Sequence, residues 1–286
     1  MIAGRTAHDV LLGDGVKPDF EFSCVQPDAA IEYVHRNADG AEIYFVANRS
    51  NRWEDVVCTF RVTGRAPEIW DAVTGEHRFA AAYAEQNGRT AVPLEFSPCG
   101  SWFVVFRQPA ARHPATAAAN TLKLESRLEL AGPWTVKFDP RLGGPESAQF
   151  EQLTNWTARA EPGIRYYSGT ATYVKTFDLP AGSSRSRQRL WLDLGDVREL
   201  AEVRLNGKSL GIVWAPPFHV PISEAVKATG NSLEIEVVNF WPNRIIGDQF
   251  LPPEMRITKT NIRKLTRDTP LMESGLMGPV RVMEQR

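Results

Sequence analysis

From residue 20 onward the chain alternates apolar and polar positions in short runs. AAIEYVHR, AEIYFVAN, DVVCTFRVTG, PEIWDAVTG, RTAVPLEFSP and SWFVVFRQ each carry the period of two that places one face of a strand in a core. Turn formers separate them: Asp39-Gly40, Thr74-Gly75, Asn87-Gly88 and Pro98-Cys99-Gly100. This density of short strands predicts a β-sandwich over residues 21–108. The preceding TAHDVLLGDGVKPDFEF holds one helical turn of apolar residues (Val10, Leu11, Leu12) and then a turn at Gly13 to Gly15. Residues 1–20 are too short for a domain and read as an N-terminal arm or the remnant of an upstream one.

The pattern breaks at QPAARHPATAAAN, where alanine and proline replace periodicity; residues 109–120 are the predicted linker. A second series of strands follows: LKLESRLELAGPWTVKFDP, GTATYVKTFDLP, QRLWLDLGDV, LAEVRLNGKSLG and NSLEIEVVNF. Asn206-Gly207 marks a tight hairpin, since both residues accept the positive φ of a type I′ turn. PISEAVKATGN predicts one helical turn with Ser223 as N-cap and Gly230 closing it. The fold class expected is all-β, two β-sandwich domains in tandem, the second spanning 121–286.

Composition narrows the possibilities. With 33 basic and 34 acidic residues among 286, no global field favours nucleic acid or an anionic membrane. The start MIAGRTAHD lacks the charged and apolar regions of a secretory signal, so the expectation is a soluble chain, cytoplasmic as given, and periplasmic or secreted if part of a longer exported parent. Cys24, Cys58 and Cys99 stand far apart with no metal-ligand spacing and are expected to be buried thiols. There is no GxSxG, GxGxxG, P-loop or HExxH, so cofactor-dependent chemistry is unsupported. The five histidines, His8, His35, His77, His113 and His219, are scattered and suit structural or surface roles.

The residues that carry chemistry gather late in the chain. After the strand LEIEVV comes NFWPNRIIGDQF, where a solvated loop should begin. Aromatic rings beside an amide, a guanidinium and a carboxylate are the groups a sugar needs, rings for its C–H face and polar groups for its hydroxyls. The same combination occurs in WAPPF and YYSGTATY, and four of the eight tryptophans (Trp53, Trp156, Trp214, Trp241) sit at strand ends or in loops. A bland alternative stands beside this one: the rings fill a sandwich edge, and Arg244 pairs with Asp248 as a structural clasp. Hydrolysis would need two carboxyls about 5 to 10 Å apart. Asp248, Glu254 and Glu273, in the least strand-like part of the chain, are the only pair candidates, and spacing alone does not pair them.

SGTATYVKTFDLP, LWLDLGDVRELAEVRLNGKSLGIVWAPPFHVPIS, GNSLEIEVVNFWPNRIIGD and SGLMGPVRV resemble the galactose-binding-like jelly roll known as the glycoside hydrolase family 2 sugar-binding domain. The form with WPNRIIGD and SGLMGPV resembles the C-terminal region of family 106 α-L-rhamnosidases. PDFEF, IEYVHR, YFVANRS, PEIWDAVTGE and SWFVVFR look like the β-sandwich that follows the catalytic barrel there. The resemblance runs from about Val16 to Val282, and its second half is the more specific. It implies that the catalytic acid and base lie in an upstream barrel, so no catalytic residue is carried over, and residues 1–20 become a barrel remnant. It also implies that a structural calcium ion could be carried, although no dense carboxylate loop is present.

The expected function is thus a carbohydrate-associated accessory region of an α-L-rhamnosidase-like glycoside hydrolase, without a catalytic centre of its own. Its partners would be a glycan, most simply one containing rhamnose, and a catalytic barrel or a second copy. Tyr167, Trp214 and Trp241 are the expected stacking residues, and Asn243, Arg244 and Asp248 the expected hydroxyl contacts. Two alternatives stay open: a small stand-alone hydrolase using carboxylates of the 248–273 loop, and a purely structural module that packs on a barrel.

Overall fold

The computed structural model describes residues 4–116, 118–180 and 189–285. It divides into two compact units, Met1–Leu122 and Lys123–Arg286.

In the first unit a short helix, α1 (Ala7–Gly13), opens on a capping box in which Thr6 and Asp9 satisfy each other's backbone N–H groups. Nine strands follow: β1 (Phe20–Cys24), β2 (Ile31–Ala38), β3 (Ala41–Asn48), β4 (Glu54–Phe60), β5 (Arg65–Asp71), β6 (His77–Phe79), β7 (Ala84–Gln86), β8 (Arg89–Phe96) and β9 (Ser101–Pro109). They form two antiparallel sheets, ordered β1-β4-β8-β7 and β2-β3-β9-β5-β6. Alternation does the sorting: along β4, Val56, Cys58 and Phe60 point inward while Asp55 and Val57 face solvent. These residues meet Tyr44, Val46, Ile69, Val92, Phe96, Val104 and Phe106 in one core. The tight turns form where the sequence predicts them, with Asp39-Gly40 and Asn87-Gly88 at positive φ.

Of the three cysteines only Cys58 is buried, and burial pushes its thiol up; Cys24 is half-buried and Cys99 exposed, against the expectation of three buried thiols. The alanine-rich stretch expected as a surface connection is laced to the first unit. Asn120 donates to the carbonyls of Ala82 and Pro93 and accepts from the Ala82 N–H. The His113 ring stacks on Phe79 at 3.4 Å between centroids.

The second unit adds β10 (Leu124–Glu129), β11 (Trp134–Lys137), β12 (Ser147–Phe150), a single helical turn α2 (Pro162–Arg165), β13 (Thr170–Phe177), β14 (Leu190–Asp193), β15 (Asp196–Arg198), β16 (Leu200–Leu205), β17 (Lys208–Val213), β18 (His219–Pro221), β19 (Asn231–Val238), α3 (Pro242–Asp248), β20 (Gly275–Gly278) and β21 (Arg281–Gln285). A six-stranded sheet, β12-β11-β13-β19-β16-β17, and a four-stranded sheet, β10-β21-β14-β18, share one core, and β15 pairs with β20. Every strand ladder is antiparallel, and the fold is all-β as the sequence predicts. The Asn206-Gly207 hairpin joins β16 to β17, with φ of 53° and 81°.

One local expectation holds only in part. Residues 223–225 do form a single turn, closed by the Val226 N–H on the Ile222 carbonyl, but Ser223 does not cap it: its hydroxyl accepts the Leu190 N–H across the sheet edge. Gly230, at positive φ, gives its N–H to Asp178.

Candidate functional site

NFWPNRIIGD is a helix rather than a solvated loop. Pro242 occupies its first turn, where a missing N–H costs nothing, and the seven residues of α3 run to Asp248. Six of the seven are buried, polar ones included. Gly247 is required by the packing: a Cβ there would stand 2.5 Å from the Cβ of Tyr166.

Most of the buried polar groups of this helix are hydrogen-bonded within the protein, as burial favours. Asn243 clamps residue 272 like a strand partner, accepting the Met272 N–H at 2.8 Å and donating to its carbonyl at 2.7 Å. The backbone N–H of Arg244 donates to the Ser168 hydroxyl, and its Nε donates to Asp248 Oδ1 at 3.0 Å, a pair one turn apart and almost fully buried. Asp248 Oδ2 accepts the backbone N–H and the hydroxyl of Thr258 at 2.7 and 2.5 Å. Burial alone would push the Asp248 carboxyl up. The Thr258 hydrogen bonds and the Arg244 charge outweigh it and hold the group below the usual carboxylate range.

A second knot lies at the start of the helix. Ser274 Oγ accepts from Asn239 and Asn243 and donates to the Met272 carbonyl, while its N–H reaches Asn155. Asn239 also ties the Gly169 N–H and the Tyr167 carbonyl. Gly275, at φ 106°, lies so close under Trp156 that a Cβ would meet the indole at 2.5 Å. The Trp156 Nε1 donates to the Tyr173 hydroxyl, which also accepts the Leu276 N–H. Ser274, Asn239, Asn155, Ser168 and Thr258 thus belong to the site although the sequence analysis did not single them out. The signal was present for Ser274 and Asn239, which sit in SGLMGPVRV and GNSLEIEVVNFWPNRIIGD.

The six expected sugar contacts separate into two groups. Tyr167 is fully buried; its hydroxyl accepts the Asp139 N–H and donates to the Thr170 carbonyl, so neither ring face is open to a ligand. Asn243, Arg244 and Asp248 are likewise buried; the side chains of Asn243 and Asp248 and the Arg244 Nε are hydrogen-bonded within the protein, against the expectation that these residues meet hydroxyls. Trp241 and Trp214 lie open, 54% and 60% exposed. Trp241 stands at the N-cap of α3, and Trp214 follows the edge strand β17. Phe240 and Phe250 flank α3 as further exposed rings, Phe250 packing on Tyr166. Of the other two tryptophans noted, Trp53 is exposed, whereas Trp156 is wholly inside the core.

The carboxylates considered for hydrolysis differ in their surroundings. Asp248 is locked as described, Glu273 is exposed beside Arg198, and Glu254 is exposed in a 3-10 turn. Among the described residues, no three His, Cys, Asp or Glu side chains are grouped to hold a metal ion, so they offer no acidic cluster for a calcium ion. Nor is any described helix long and apolar enough to cross a membrane. His35 lies between Asp19 and Glu42, His219 lies near Asp193, and the side chain of His8 is outside the described residues.

Comparison with known proteins fits this architecture. The glycoside hydrolase family 106 model, described as alpha-L-rhamnosidase, matches residues 1–85, in the half that the sequence motifs made the less specific. A protein of Formosa agariphila described as "Putative beta-glucuronidase" is 37% identical over 188 residues, covering 57% of this chain and 16% of its own length. The structure of a rhamnosidase from Novosphingobium sp. PP1Y superposes with a TM-score of 0.85 at 38% identity, over 97% of this chain and 26% of that one. The chain therefore spans about a quarter or less of these relatives. In fold and in sequence it is a β-sandwich region of the glycoside hydrolase family 106 kind, similar to part of an α-L-rhamnosidase.

Proposed function

We propose that this chain is an accessory region of an α-L-rhamnosidase-like glycoside hydrolase, which binds or positions a glycan beside a catalytic domain without performing the hydrolysis itself. The observation that carries this reading is the commitment of Asp248. Both of its oxygens accept hydrogen bonds from Arg244 or Thr258 and the carboxyl is held below its usual range, so one of the three carboxyls considered for hydrolysis is kept ionised and engaged rather than free to act as a general acid. The coverage of about a quarter of a rhamnosidase supports the same reading.

In this account the 239–250 segment is divided by depth. Asn243, Arg244 and Asp248 form the frame, and Trp241, with Trp214 on the edge strand, presents indole faces to sugar C–H surfaces. The glycan is of the rhamnose-containing class that the rhamnosidase relative points to. The test is binding of the intact chain to an array of rhamnose-, galactose- and uronate-containing glycans, with turnover of an aryl α-L-rhamnoside followed in parallel. Selective binding without turnover supports the proposal. Turnover that disappears in Glu254→Gln or Glu273→Gln would instead establish a stand-alone hydrolase. A second reading, a purely structural brace, is favoured by the internal pairing of Asn243 and Asp248, and it predicts a blank array.

A further inference from the structure

The charge of this protein is unevenly spread. Residues 256–267, RITKTNIRKLTR, carry Arg256, Lys259, Arg263, Lys264 and Arg267 and not one carboxylate, in a chain whose 33 basic and 34 acidic residues nearly balance as a whole. All five are exposed. Some exposed arginines elsewhere meet acids, as Arg49 does with Glu32 and Arg141 with Asp139, while Arg36 and Arg112 are exposed without an ion pair among the described residues; what sets 256–267 apart is five cations within twelve residues. None of the five is in an ion pair among the described residues. So dense a patch of like charge is self-repelling, and it is retained at a cost that an anionic ligand would relieve.

The patch is also held in place. It belongs to a connection without strands or α-helix between α3 and β20, longer than most surface loops and of the length usually reserved for binding or gating. Thr258 pins it to Asp248, Arg256 donates to the Leu251 carbonyl, and Arg267 donates to the Gln249 carbonyl while its guanidinium lies 5.2 Å over the Phe250 ring. Asn243 clamps the far end at Met272. The buried polar groups of α3 therefore root the loop at its base, and Lys259, Arg263 and Lys264 are left as cations without an ion-pair or hydrogen-bond partner among the described residues. Exposed rings stand at both ends of the same helix, Phe240 and Trp241 before it and Phe250 after it.

We infer that the 256–267 loop is an anion-recognising arm of the glycan site, and that the glycan it takes carries acidic groups, uronate carboxylates or sulfate esters. This rests on the glycan-binding reading above and narrows it. Guanidinium and ammonium groups on a loop rooted to the helix that follows the exposed Trp241 match a sugar that offers an apolar ring face and a negative charge together. A neutral rhamnan would leave the cations without a partner. An acidic polypeptide would satisfy the charge and leave the rings unused.

The test is affinity electrophoresis of the intact chain through gels containing polygalacturonate, dextran sulfate, neutral dextran, a neutral rhamnan or polyglutamate. The variant is Lys259→Gln/Arg263→Gln/Lys264→Gln, three changes that remove no recorded hydrogen bond, with Arg263→Lys as the charge-keeping control and a melting curve for each. The expected result is retardation by one or both acidic polysaccharides, weakened at least about tenfold in the triple variant and kept by Arg263→Lys, and falling as salt shortens the screening length. Polygalacturonate against dextran sulfate tells carboxylate from sulfate. Equal retardation by the neutral rhamnan, unchanged in the triple variant, would overturn the acidic preference and leave the glycan-binding reading standing. Retardation by polyglutamate as strong as by either acidic polysaccharide would overturn the assignment to sugar. No retardation by any glycan would overturn both.

Discussion

Replacing Arg244 with alanine isolates the frame around α3 from everything the exposed rings do. The Arg244 side chain is 5% exposed and that of Asp248 2%, so the pair sits in surroundings where solvent screens little. Removing the guanidinium leaves a buried carboxylate with the Thr258 hydrogen bonds and no counter-charge. Breaking a buried pair in this way typically costs about 3–5 kcal/mol. For a unit of this size that lowers the midpoint of thermal unfolding by roughly 10 °C. The loss should appear in the transition of the second unit alone, followed by near-ultraviolet circular dichroism, with a matching shift in urea midpoint. Arg244→Met/Asp248→Leu should recover part of it, because no unpaired charge remains even though the Thr258 N–H loses its acceptor. The pH dependence has a fixed sign. The Asp248 carboxyl is held below its ordinary value, so its contribution is full above the unfolded value of about 3.9 and is lost as pH falls through the lower folded value. The gap between wild type and Arg244→Ala should be largest at neutral pH and narrow as pH falls toward the lowered folded value of Asp248. A loss under about 1 kcal/mol at neutral pH, or a gap that widens in acid, would refute the clasp.

Two further outcomes follow from the same packing. Tyr167→Phe removes an acceptor from the Asp139 N–H and a donor from the Thr170 carbonyl, and should cost about 1–2 kcal/mol in urea unfolding without changing glycan binding, since the ring is inside. Gly275→Ala should destabilise far more than an ordinary glycine replacement and lower the soluble yield, because the new Cβ meets the buried Trp156 indole and the backbone holds φ at 106°.

Most of the fold was legible because one face of each sheet is buried and the other is wet. NSLEIEVV reads as a strand and is one, with Asn231, Leu233, Ile235 and Val237 inward. AEIYFVAN matches β3 residue for residue. Asn-Gly and Asp-Gly turns were legible because positive φ restricts residue choice so strongly. The helix α3 was not, because seven residues opened by Trp-Pro are too few for a helical period to emerge, and its polar residues are buried by tertiary partners 10 to 76 positions away. Ser223 was misread for a related reason: a hydroxyl before SEAV looks like a cap, but Leu190 across the sheet competed for it.

The candidate site was half legible. Aromatic residues beside polar ones marked the right segment, yet sequence cannot say which side of a backbone faces the core. Trp241 and Arg244, three positions apart, differ almost completely in exposure. The spacing of Arg244 and Asp248 did carry the clasp as an alternative, since residues one turn apart pair if the segment is helical. What no local pattern conveyed was the Ser274 hub, whose partners Asn239 and Asn155 lie 35 and 119 positions upstream.

The most direct test of the division between frame and face compares Trp241→Ala and Trp214→Ala with the wild-type chain, measuring the glycan dissociation constant and the melting midpoint on the same samples. The account predicts that the midpoints stay within about 2 °C, since exposed side chains contribute little to stability. It predicts that affinity falls at least about tenfold in one or both variants, as loss of a stacking platform worth 1.4 kcal/mol requires. Unchanged affinity in both variants, or a fall in the midpoint that tracks the loss of binding, would contradict it.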